Sequence, residues 1–450
     1  MIKLPDSYTD RMKKILKNDY EDYLKALEQS PKKAFRVNTD KISLDEFSEI
    51  NPFGKKKIEY SENGFYLDLE KAGNHPYHHA GMIYIQEPAA MTPAECVDFD
   101  KNSYVLDMCA APGGKSTQLK NKLGNKGILV SNEIIPSRCK ILTGNIERLG
   151  LKNCITTCMD TGRLSNTFPK TFDFIMCDAP CSGEGMFRKE EAALLEWSDE
   201  NVKMCAARQS EILENAALCL KDGGIIVYAT CTFSLEENEM VIDSFLENHP
   251  EFEIVPVKKE VQKVTQDGIF FEGCKTENIR FARRFYPHKA IGEGQFMAVL
   301  KNRLEKTDKH TPPSKMNCTD KTVLEFLENT LISFDKSAVK LYNNNPVYFE
   351  NDFDIKDGTA FSYGVTIGEI KKNYFLPHHQ FFMALGNNFK RKIELPLRDA
   401  RVAKYLHGEE IEVECDNGWA AVLVDGVTLG GAKVVGGIAK NHYPKGLRLK

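Results

Sequence analysis

The 450-residue sequence lacks several features that would place it in common classes of protein. It has no run of about eighteen apolar residues, so no membrane-spanning helix is expected. Its first residues, MIKLPDSYTDRMKKIL, lack the apolar core of a secretory signal and are too charged for a transit peptide. The formal net charge of −4 excludes a uniformly basic coat for nucleic acid, although it allows basic patches.

The thirteen cysteines do not form the pattern of a small disulfide-bonded domain. Their number is odd and they lie within strand-like and helix-like runs, which indicates reduced thiols and a cytoplasmic protein. Free cysteine often behaves as a small apolar residue. We therefore expect five of them to be buried structural thiols: Cys154, Cys158, Cys177, Cys205 and Cys219. No metal site is predicted.

The segment DMCAAPGGKST, residues 107–117, lacks the first glycine of a phosphate-binding P-loop. That motif requires a glycine, four further residues and then Gly-Lys-Ser/Thr, and the first glycine position is occupied here by Cys109. The segment also lacks the Gly-x-Gly-x-x-Gly pattern of a dinucleotide site. Neither an NTPase nor an NAD enzyme is therefore favoured, and the glycines need another explanation.

Strand and helix patterns alternate between about residues 80 and 300. The runs that favour strands are YVLDMCA, GILVSNEI, CITTCMD, FDFIMCDAP and GGIIVYATCT. Such alternation predicts a doubly wound α/β domain with a parallel sheet. The run FMAVLKN, near residues 296–302, is expected to close one edge of that sheet.

The chain is long for one domain, and its composition changes along its length. Helical spacing is seen over residues 1 to about 30, and KIEY and GFYLDL predict two strands joined by a hairpin-like turn. Pro312 and Pro313 lie in a polar stretch that is typical of a linker. The predicted units are a mixed α+β unit (1–80), the α/β domain (81–302), a linker (303–322), a small mixed unit (323–388) and a β-rich unit with a basic end (389–450).

Acidic residues end four successive predicted strands, beside the glycine-rich turn. They are Asp107, Glu133, Asp160 and Asp178. Ligands of open parallel sheets bind at the carboxyl ends of the strands, where a helix N-terminus also points its amides. Glu133 is suited to the ribose hydroxyls and Asp160 to the adenine amino group, although any single acid could instead be a helix N-cap. The combination predicts an adenosine site, and S-adenosylmethionine is the adenosine cofactor that needs no pyrophosphate-binding glycines.

Two cysteines follow the fourth and fifth strands of this sheet, Cys181 in CDAPCSG and Cys231 in YATCTFS. A thiolate can add to carbon 6 of cytosine, which makes carbon 5 nucleophilic enough to take a methyl group. A base then removes the carbon 5 proton and the thiol leaves. Asp178 is placed to hold the exocyclic nitrogen of the base. The residues alone do not rank the two cysteines.

At these motifs the sequence resembles the Sun (RsmB/RsmF-type) family of RNA cytosine-C5 methyltransferases. The matching segments are FRVN (35–38), YIQEPAAM (84–91), DMCAAPGGKSTQL (107–119), CDAPCSGEGMFRK (177–189) and YATCTFSLEENE (228–239). The resemblance implies that Cys231 is the nucleophile, that Cys181 assists product release and that Asp178 holds the cytosine. It also implies an S-adenosylmethionine site made of Cys109, Ala110, Ala111, Pro112, Gly113, Gly114, Lys115, Glu133, Asp160 and Asp178.

The C-terminal segment VDGVTLGGAKVV…NHYPKGLR is similar to the PUA-like RNA-binding module of the RsmF-type branch. The implied substrate is RNA, most simply small-subunit ribosomal RNA, with a monomer as the expected state. Alternatives are a tRNA substrate or a non-catalytic ribosome-assembly factor, although the intact thiol pair and cofactor loop disfavour the latter. Residues expected to contact RNA are Arg11, Arg36, the lysine-rich segment 54–57, Arg188 or Lys189, Tyr443, and the basic Lys440, Lys445, Arg448 and Lys450; core packing is expected for Trp419.

Overall fold

The computed structural model describes residues 4–305, 317–372 and 374–449. Most of the predicted linker, residues 306–316, lies outside the described residues, as does Lys450. The α-helices are α1 Asp6–Leu16, α2 Tyr20–Leu27, α3 Leu44–Ile50, α4 Pro76–His79, α5 Thr92–Glu95, α6 Gly114–Lys122, α7 Pro136–Leu149, α8 Thr161–Thr167, α9 Glu191–Glu196, α10 Asp199–Cys219, α11 Glu239–Asn248, α12 Lys259–Val264, α13 Lys321–Thr330, α14 His379–Leu385 and α15 Ala400–His407.

The strands belong to five sheets. They are β1 Ala34–Val37, β2 Gly64–Tyr66, β3 Ile83–Gln86, β4 Tyr104–Asp107, β5 Ile128–Asn132, β6 Cys154–Thr157, β7 Phe172–Asp178, β8 Leu220–Thr230, β9 Phe252–Val255, β10 Gln266–Asp267, β11 Arg283–Phe285, β12 Gln295–Asn302, β13 Val339–Tyr342, β14 Asn345–Tyr348, β15 Ser362–Tyr363, β16 Val365–Thr366, β17 Gly368–Lys371, β18 Tyr374–Pro377, β19 Lys392–Leu395, β20 Ile411–Glu412, β21 Gly418–Val424, β22 Val427–Val435 and β23 Ile438–Asn441.

The largest sheet has the order β10-β11-β12-β8-β7-β4-β5-β6-β15, with β9 also paired to β12. Strands β4 to β8 are mutually parallel, so the predicted doubly wound α/β fold is confirmed. The chain moves outward from β4 through β5 to β6 and then returns to β7. The strand order therefore reverses between β4 and β7, which is the point where such sheets bind ligands.

Strand β12, which contains FMAVLKN, does not close the sheet as predicted. It pairs with β8 on one side, and β11 and β9 pair with its other side. The strands that extend the sheet are only two to four residues long, too short for their periodicity to be recognised.

Helices cover both faces of the parallel strands, which explains their nearly continuous apolar sequences. Successive residues alternate between two cores. Leu106 and Val130 pack into one cluster with Ile175 and Ile226. Val105 and Leu129, which immediately precede Leu106 and Val130, pack on the opposite face with Phe174 and Val227.

The N-terminal unit differs from the sequence prediction in two places. A 3-10 turn at Lys17–Asp19 separates α1 from α2, where one continuous helix was expected. KIEY forms only an isolated bridge between Lys57 and Phe65, because the chain turns back at once through the hydrogen bond from Ser61 N to Ile58 O. Strand β1 is central, between β2 and β3. The predicted domain boundary at residue 80 thus falls before a strand that pairs with β1.

The C-terminal unit packs on the N-terminal unit. Its sheet has the order β19-β21-β22-β23-β20. Val422 and Leu429 of this sheet share one buried cluster with Phe35, Val37 and Ile83 of the N-terminal sheet. The unit before it is joined to the central sheet, because β15 pairs antiparallel with β6.

Half-buried histidines line the contact between α4, α14 and the C-terminal unit. The Nδ1 atom of His79 lies 2.8 Å from the hydroxyl of Tyr443, whose ring also meets His379 edge-on. Burial lowers the pKa of His78 to about 3, that of His79 to about 4 and that of His379 to about 3. The guanidinium of Arg148 adds to the effect on His78 and His79.

These histidines predict a loss of stability in acid. Their folded pKa values lie below the unfolded value of about 6.5, so each stabilises the fold above pH 6.5 and favours unfolding as the pH falls towards 4. Each can lower the free energy of unfolding by up to about 1.4 kcal/mol per pH unit. Urea unfolding at pH 7.5, 6 and 5 measures this slope. The variant His379→Gln should have a shallower pH dependence; an unchanged slope would contradict the assignment.

Candidate active site

Asp107 stands at the end of β4, at the point where the strand order reverses. Its side chain is fully buried, and its Oδ2 accepts a hydrogen bond of 2.6 Å from Ser116 Oγ in the first turn of α6. Burial raises the pKa of Asp107 to about 7. Its Oδ1 is buried and has no hydrogen-bond partner among the described residues.

The glycines between β4 and α6 meet two different needs. Gly113 precedes α6 with φ +111°, a left-handed conformation that strongly favours glycine. A Cβ atom on Gly114 would lie 3.3 Å from Nε2 of Gln86 and 3.5 Å from the ring of Tyr84. Gly114 is therefore small because strand β3 packs behind it.

Arg36 fixes the first turn of α6 from behind. The residue is 1% exposed, and it donates to Gln86 Oε1 (2.6 Å), Gly114 O (2.8 Å) and Thr117 Oγ1 (2.7 Å). The prediction that Arg36 contacts RNA phosphate is therefore wrong, since its guanidinium is buried and its Nε and Nη2 are held by protein acceptors. Arg36 joins the N-terminal sheet to the glycine-rich turn.

Lys115 faces Asp178 across the site, with 2.8 Å between Nζ and Oδ2. Burial alone would lower the pKa of Lys115, but Asp178 and Asp107 more than offset this and raise it. The lysine is thus a fixed positive charge. The Asp178 side chain is 31% exposed, and its Oδ1 accepts no hydrogen bond from a described residue, so that oxygen is available to a ligand.

The other two strand-end acids differ from each other. Glu133 is buried, with Oε1 accepting from Ile135 N at 3.0 Å and Oε2 lying 3.4 Å from Arg138 Nη1. Asp160 is exposed, and its Oδ1 caps α8 by accepting from Arg163 N at 2.8 Å. This oxygen therefore acts as the helix N-cap that was the alternative function for each acid. The assignment of Asp160 to the adenine amino group stays a prediction.

Asn132, which follows the apolar run of β5, was missed by sequence reasoning. Its Nδ2 donates to the carbonyls of Met108 (3.2 Å) and Met159 (3.0 Å), and its Oδ1 accepts from Thr157 Oγ1 at 2.8 Å. It ties together the segments that follow β4 and β6. A polar residue at the end of a fully buried strand was the available signal.

The structure brings the two predicted cysteines together. The sulfurs of Cys181 and Cys231 are 3.2 Å apart, and the backbone N–H of Cys231 donates to the sulfur of Cys181 at 3.3 Å. The hydrogen bond to the Cys231 sulfur and burial raise the pKa of Cys181 well above its usual value. The raised pKa favours the protonated thiol at Cys181.

A buried carboxylate, that of Glu237, braces both cysteine segments. Its side chain accepts from Ser182 N (2.9 Å), Ser182 Oγ and Gln209 Nε2 (2.9 Å), and it lies 3.4 Å from Thr232 Oγ1. Gln209 also donates to the carbonyl of Pro180, the residue before Cys181. Burial raises the pKa of Glu237, and these donors act against that rise. Sequence reasoning gave Glu237 no role, because its partners are distant along the chain.

A second buried carboxylate, Glu184, supports the next turn of the same segment. It accepts from Arg11 Nη1 (2.7 Å), Trp197 Nε1 (3.0 Å) and Phe233 N (3.0 Å). Beside it, Gly185 N donates to the carbonyl of Cys231 at 2.8 Å. Arg11 is therefore an internal support of the cysteine segments, contrary to its predicted contact with RNA.

Two further predicted RNA contacts are also buried in the protein. Arg188 pairs with Glu293 at 2.8 Å with a side chain that is 6% exposed, whereas the neighbouring Lys189 is exposed. Tyr443 is 2% exposed and lies against His79, so it cannot stack on a base. Trp419 packs against the core as expected, with Lys433 Nζ 5.7 Å from its ring centre.

All thirteen cysteines are free thiols. Of the five expected to be buried, only Cys158 is partly exposed. The described residues contain no group of three or more His, Cys, Asp or Glu side chains that could hold a metal ion. No helix within the described ranges has the length and apolar character needed to cross a bilayer.

The Glu237 contacts predict that this residue sets the reactivity of the two thiols. Glu237→Ala leaves the buried Ser182 N–H and one of the two N–H groups of the Gln209 amide without an acceptor, which costs about 2–5 kcal/mol of folding free energy. We expect a lower melting temperature and a changed rate of iodoacetamide alkylation at Cys231, measured by mass spectrometry.

The neighbouring Glu236→Ala is the matched control, because Glu236 is only partly buried and contacts Ser234. It should leave the alkylation rate within about twofold of the wild type, as expected for a substitution away from buried networks. Equal behaviour of the two variants would disprove a positioning role for Glu237.

Family comparisons agree with this arrangement. Three family models match the chain: the N-terminal domain of 16S rRNA methyltransferase RsmF over residues 4–88, 16S rRNA methyltransferase RsmB/F over 94–301, and the methyltransferase RsmF PUA domain over 392–449. Two solved structures from Pyrococcus horikoshii are similar. One is a methyltransferase homolog (29% identity, TM-score 0.59, covering 67% of this chain and 96% of that one). The other, NSun6 with SFG, is 22% identical with a TM-score of 0.57, covers 67% and 99% of the two chains, and shows the fold alone.

Curated relatives extend the similarity to nearly the whole chain. The ribosomal RNA small subunit methyltransferase F of Vibrio campbellii is 30% identical over 473 residues, covering 99% of this chain and 97% of the relative. That of Shewanella piezotolerans is 32% identical over 458 residues, covering 95% and 93%. The chain therefore belongs to the ribosomal RNA small subunit methyltransferase F family.

Proposed function

We propose that this protein is an S-adenosylmethionine-dependent methyltransferase that forms 5-methylcytosine in small-subunit (16S) ribosomal RNA. The observation that carries the chemistry is the pair of cysteine sulfurs 3.2 Å apart, at the sheet edge that also presents Lys115 and Asp178. The substrate class rests on the family and on the names of its members. The free cysteines support a cytoplasmic location, and a monomer is the proposed state.

The residues at this edge suit S-adenosylmethionine. The donor set is the turn 109–115 with Glu133, Asp160 and Asp178, and the unpartnered buried oxygen of Asp107 fits a group that brings hydrogen-bond donors or positive charge. Lys115 pairs with Asp178 beside that site at 2.8 Å. When bound, the cofactor supplies the methyl group.

The protein's own groups divide the remaining work. Asp178 Oδ1 accepts a hydrogen bond from the exocyclic amino group and orients the base. The thiolate of Cys231 bonds to carbon 6, which makes carbon 5 nucleophilic. After methyl transfer a base removes the carbon 5 proton, and the bond between sulfur and carbon 6 breaks with the electron pair returning to sulfur. Cys181 holds a proton beside that sulfur and stabilises it as it leaves.

RNA binding is assigned to the exposed basic residues of the C-terminal unit, Lys440 and Lys445, and to Lys189 beside the cysteine segment. Lysine contacts to phosphate groups fix the orientation of the RNA on the protein, and they do not distinguish one base from another. The target cytosine must leave any base-paired helix to reach Cys231, so it is flipped out or single-stranded in the bound RNA.

Substitution of the two cysteines tests their roles. Cys231→Ala should abolish methyl transfer, because no other group supplies the nucleophile, and should leave S-adenosylmethionine affinity nearly unchanged. Cys181→Ala should accumulate a covalent protein–RNA adduct on a denaturing gel. Cys415→Ala, a half-buried thiol of the C-terminal unit, is the control. Near wild-type transfer by Cys231→Ala would overturn the assignment of Cys231 as the nucleophile. An adduct that forms only with Cys231→Ala would show that the two cysteines have the opposite roles.

Transfer of labelled methyl from S-adenosylmethionine identifies the substrate. Undermethylated 16S RNA, free and in small subunits, is compared with total tRNA, and the label is analysed as nucleosides. Label in 16S RNA as 5-methylcytosine is expected. Label in tRNA alone would keep the chemistry and change the substrate, and cofactor binding without transfer would favour a non-catalytic assembly factor.

A further inference from the structure

A cavity of about 350 Å³, here called the junction pocket, lies where four parts of the chain meet. Its walls include Lys41 from the N-terminal unit, Lys120 near the end of α6, Lys152 after α7, Asn387 after α14 and Thr428 of β22. Gly114, where α6 begins at the catalytic edge, lies about 9 Å along the helix axis from Lys120. The pocket is thus separate from the methyl-transfer site.

Lys120 is the unusual group in this pocket. The residue is 5% exposed, yet its ammonium makes no hydrogen bond to a described residue, and no described carboxylate lies within 4 Å of it. Buried charges are costly unless they are paired and hydrogen-bonded. Asp40, on the same wall, interacts with Lys120 only from beyond 4 Å, so a bound anion could make the direct contact that no described carboxylate makes.

The other titratable groups of the pocket leave its charge positive. Lys41 donates to the carbonyl of Ala80 at 2.9 Å, and burial, with repulsion from Arg148, lowers its pKa to about 7. Lys152 is neutralised by Glu350 at 2.8 Å. Asp40 also lines the pocket; burial raises its pKa, and the charges of Lys120 and Lys152 act against that rise.

Uncharged donors complete the walls. Asn387 accepts from Thr428 Oγ1 through its Oδ1 at 3.0 Å, which leaves its NH₂ group to face a ligand. The side chain of Asn125 is a second amide on the pocket wall. Two ammonium groups with neighbouring amide donors match the several acceptor oxygens of a phosphate group.

We propose that the junction pocket binds a phosphate group, with Lys120 and Lys41 as its charged contacts. Two sources share this chemistry, the backbone of bound RNA and a free phosphorylated small molecule. Phosphate binding in this pocket does not depend on the proposed methyl transfer. The identification of bound RNA as the source of that phosphate rests on the proposed function.

Calorimetric titration with sodium phosphate, against sodium chloride at equal ionic strength, tests the site in the full-length protein. Lys120→Met keeps an unbranched side chain one atom shorter and removes its charge. It should weaken phosphate binding at least about tenfold, the loss expected for one charge-assisted contact. Lys126→Met, at an exposed lysine outside the pocket, is the matched control and should bind like the wild type.

Thermal unfolding separates loss of the site from misfolding. Without phosphate, Lys120→Met should melt at or above the wild-type temperature, because an unpaired buried charge has been removed. Phosphate should raise the melting temperature of the wild type more than that of the variant, and it should protect Lys41 from acylation at pH 7. Absence of phosphate binding by the wild type, or equal binding by Lys120→Met, would overturn the proposal.

Titration with a nucleoside monophosphate and with a short RNA then distinguishes the two sources. Weaker RNA binding by Lys120→Met supports a backbone phosphate, and an effect on the mononucleotide alone supports a small molecule. Methyl transfer is measured on the same samples. Its failure in the wild type would count against the proposed function and leave the phosphate titration valid.

Discussion

The candidate site depends on one buried carboxylate held between two loops. Cys181 and Cys231 lie after different strands, fifty residues apart, and neither loop has regular structure to fix its position. Glu237 binds Ser182 from one loop and approaches Thr232 of the other, while Gln209 joins it to Pro180. Because such a carboxylate is stable in the interior only when its donors are in place, the two loops are held in a single relative position.

A second set of contacts makes the N-terminal unit part of this scaffold. Arg36 secures the first turn of α6, and Arg11 secures Glu184, which receives the backbone N–H of Phe233. Both arginines were predicted to bind RNA because basic residues in a flanking unit are typical of an RNA-binding arm. Arg36 is buried and Arg11 is half-buried and paired with Glu184, so the unit supports the glycine-rich turn and the Cys231 loop. Any RNA contacts it makes must come from exposed residues such as Lys56.

Local pattern was enough to predict the parallel strands, the glycine-rich turn and the meeting of both cysteines at one edge. Each of these follows from periodicity together with the rule that parallel strands end on the same side. Pattern could not reveal Arg188 pairing with Glu293, or β15 joining β6. These contacts link residues more than one hundred positions apart, and nothing in either local sequence marks the partner. The role of Glu237 and the packing of Gly114 against Gln86 also depend on tertiary contacts that local sequence does not mark, although these partners are closer along the chain.

The sequence does not distinguish the reactivity of Cys181 from that of Cys231, but their surroundings in the structure differ. Cys181 accepts the backbone N–H of Cys231 and lies near the carboxylate of Glu237, and contact with the other sulfur, burial and this negative charge all raise its pKa. A thiol that keeps its proton is a poor nucleophile, since the thiolate is the reactive form. Cys181 thus fits the proton-bearing role that the proposed mechanism gives it, in which Cys231 attacks. The order of attack and release stays a proposal, and the geometry that agrees with it is the backbone N–H of Cys231 directed at the Cys181 sulfur.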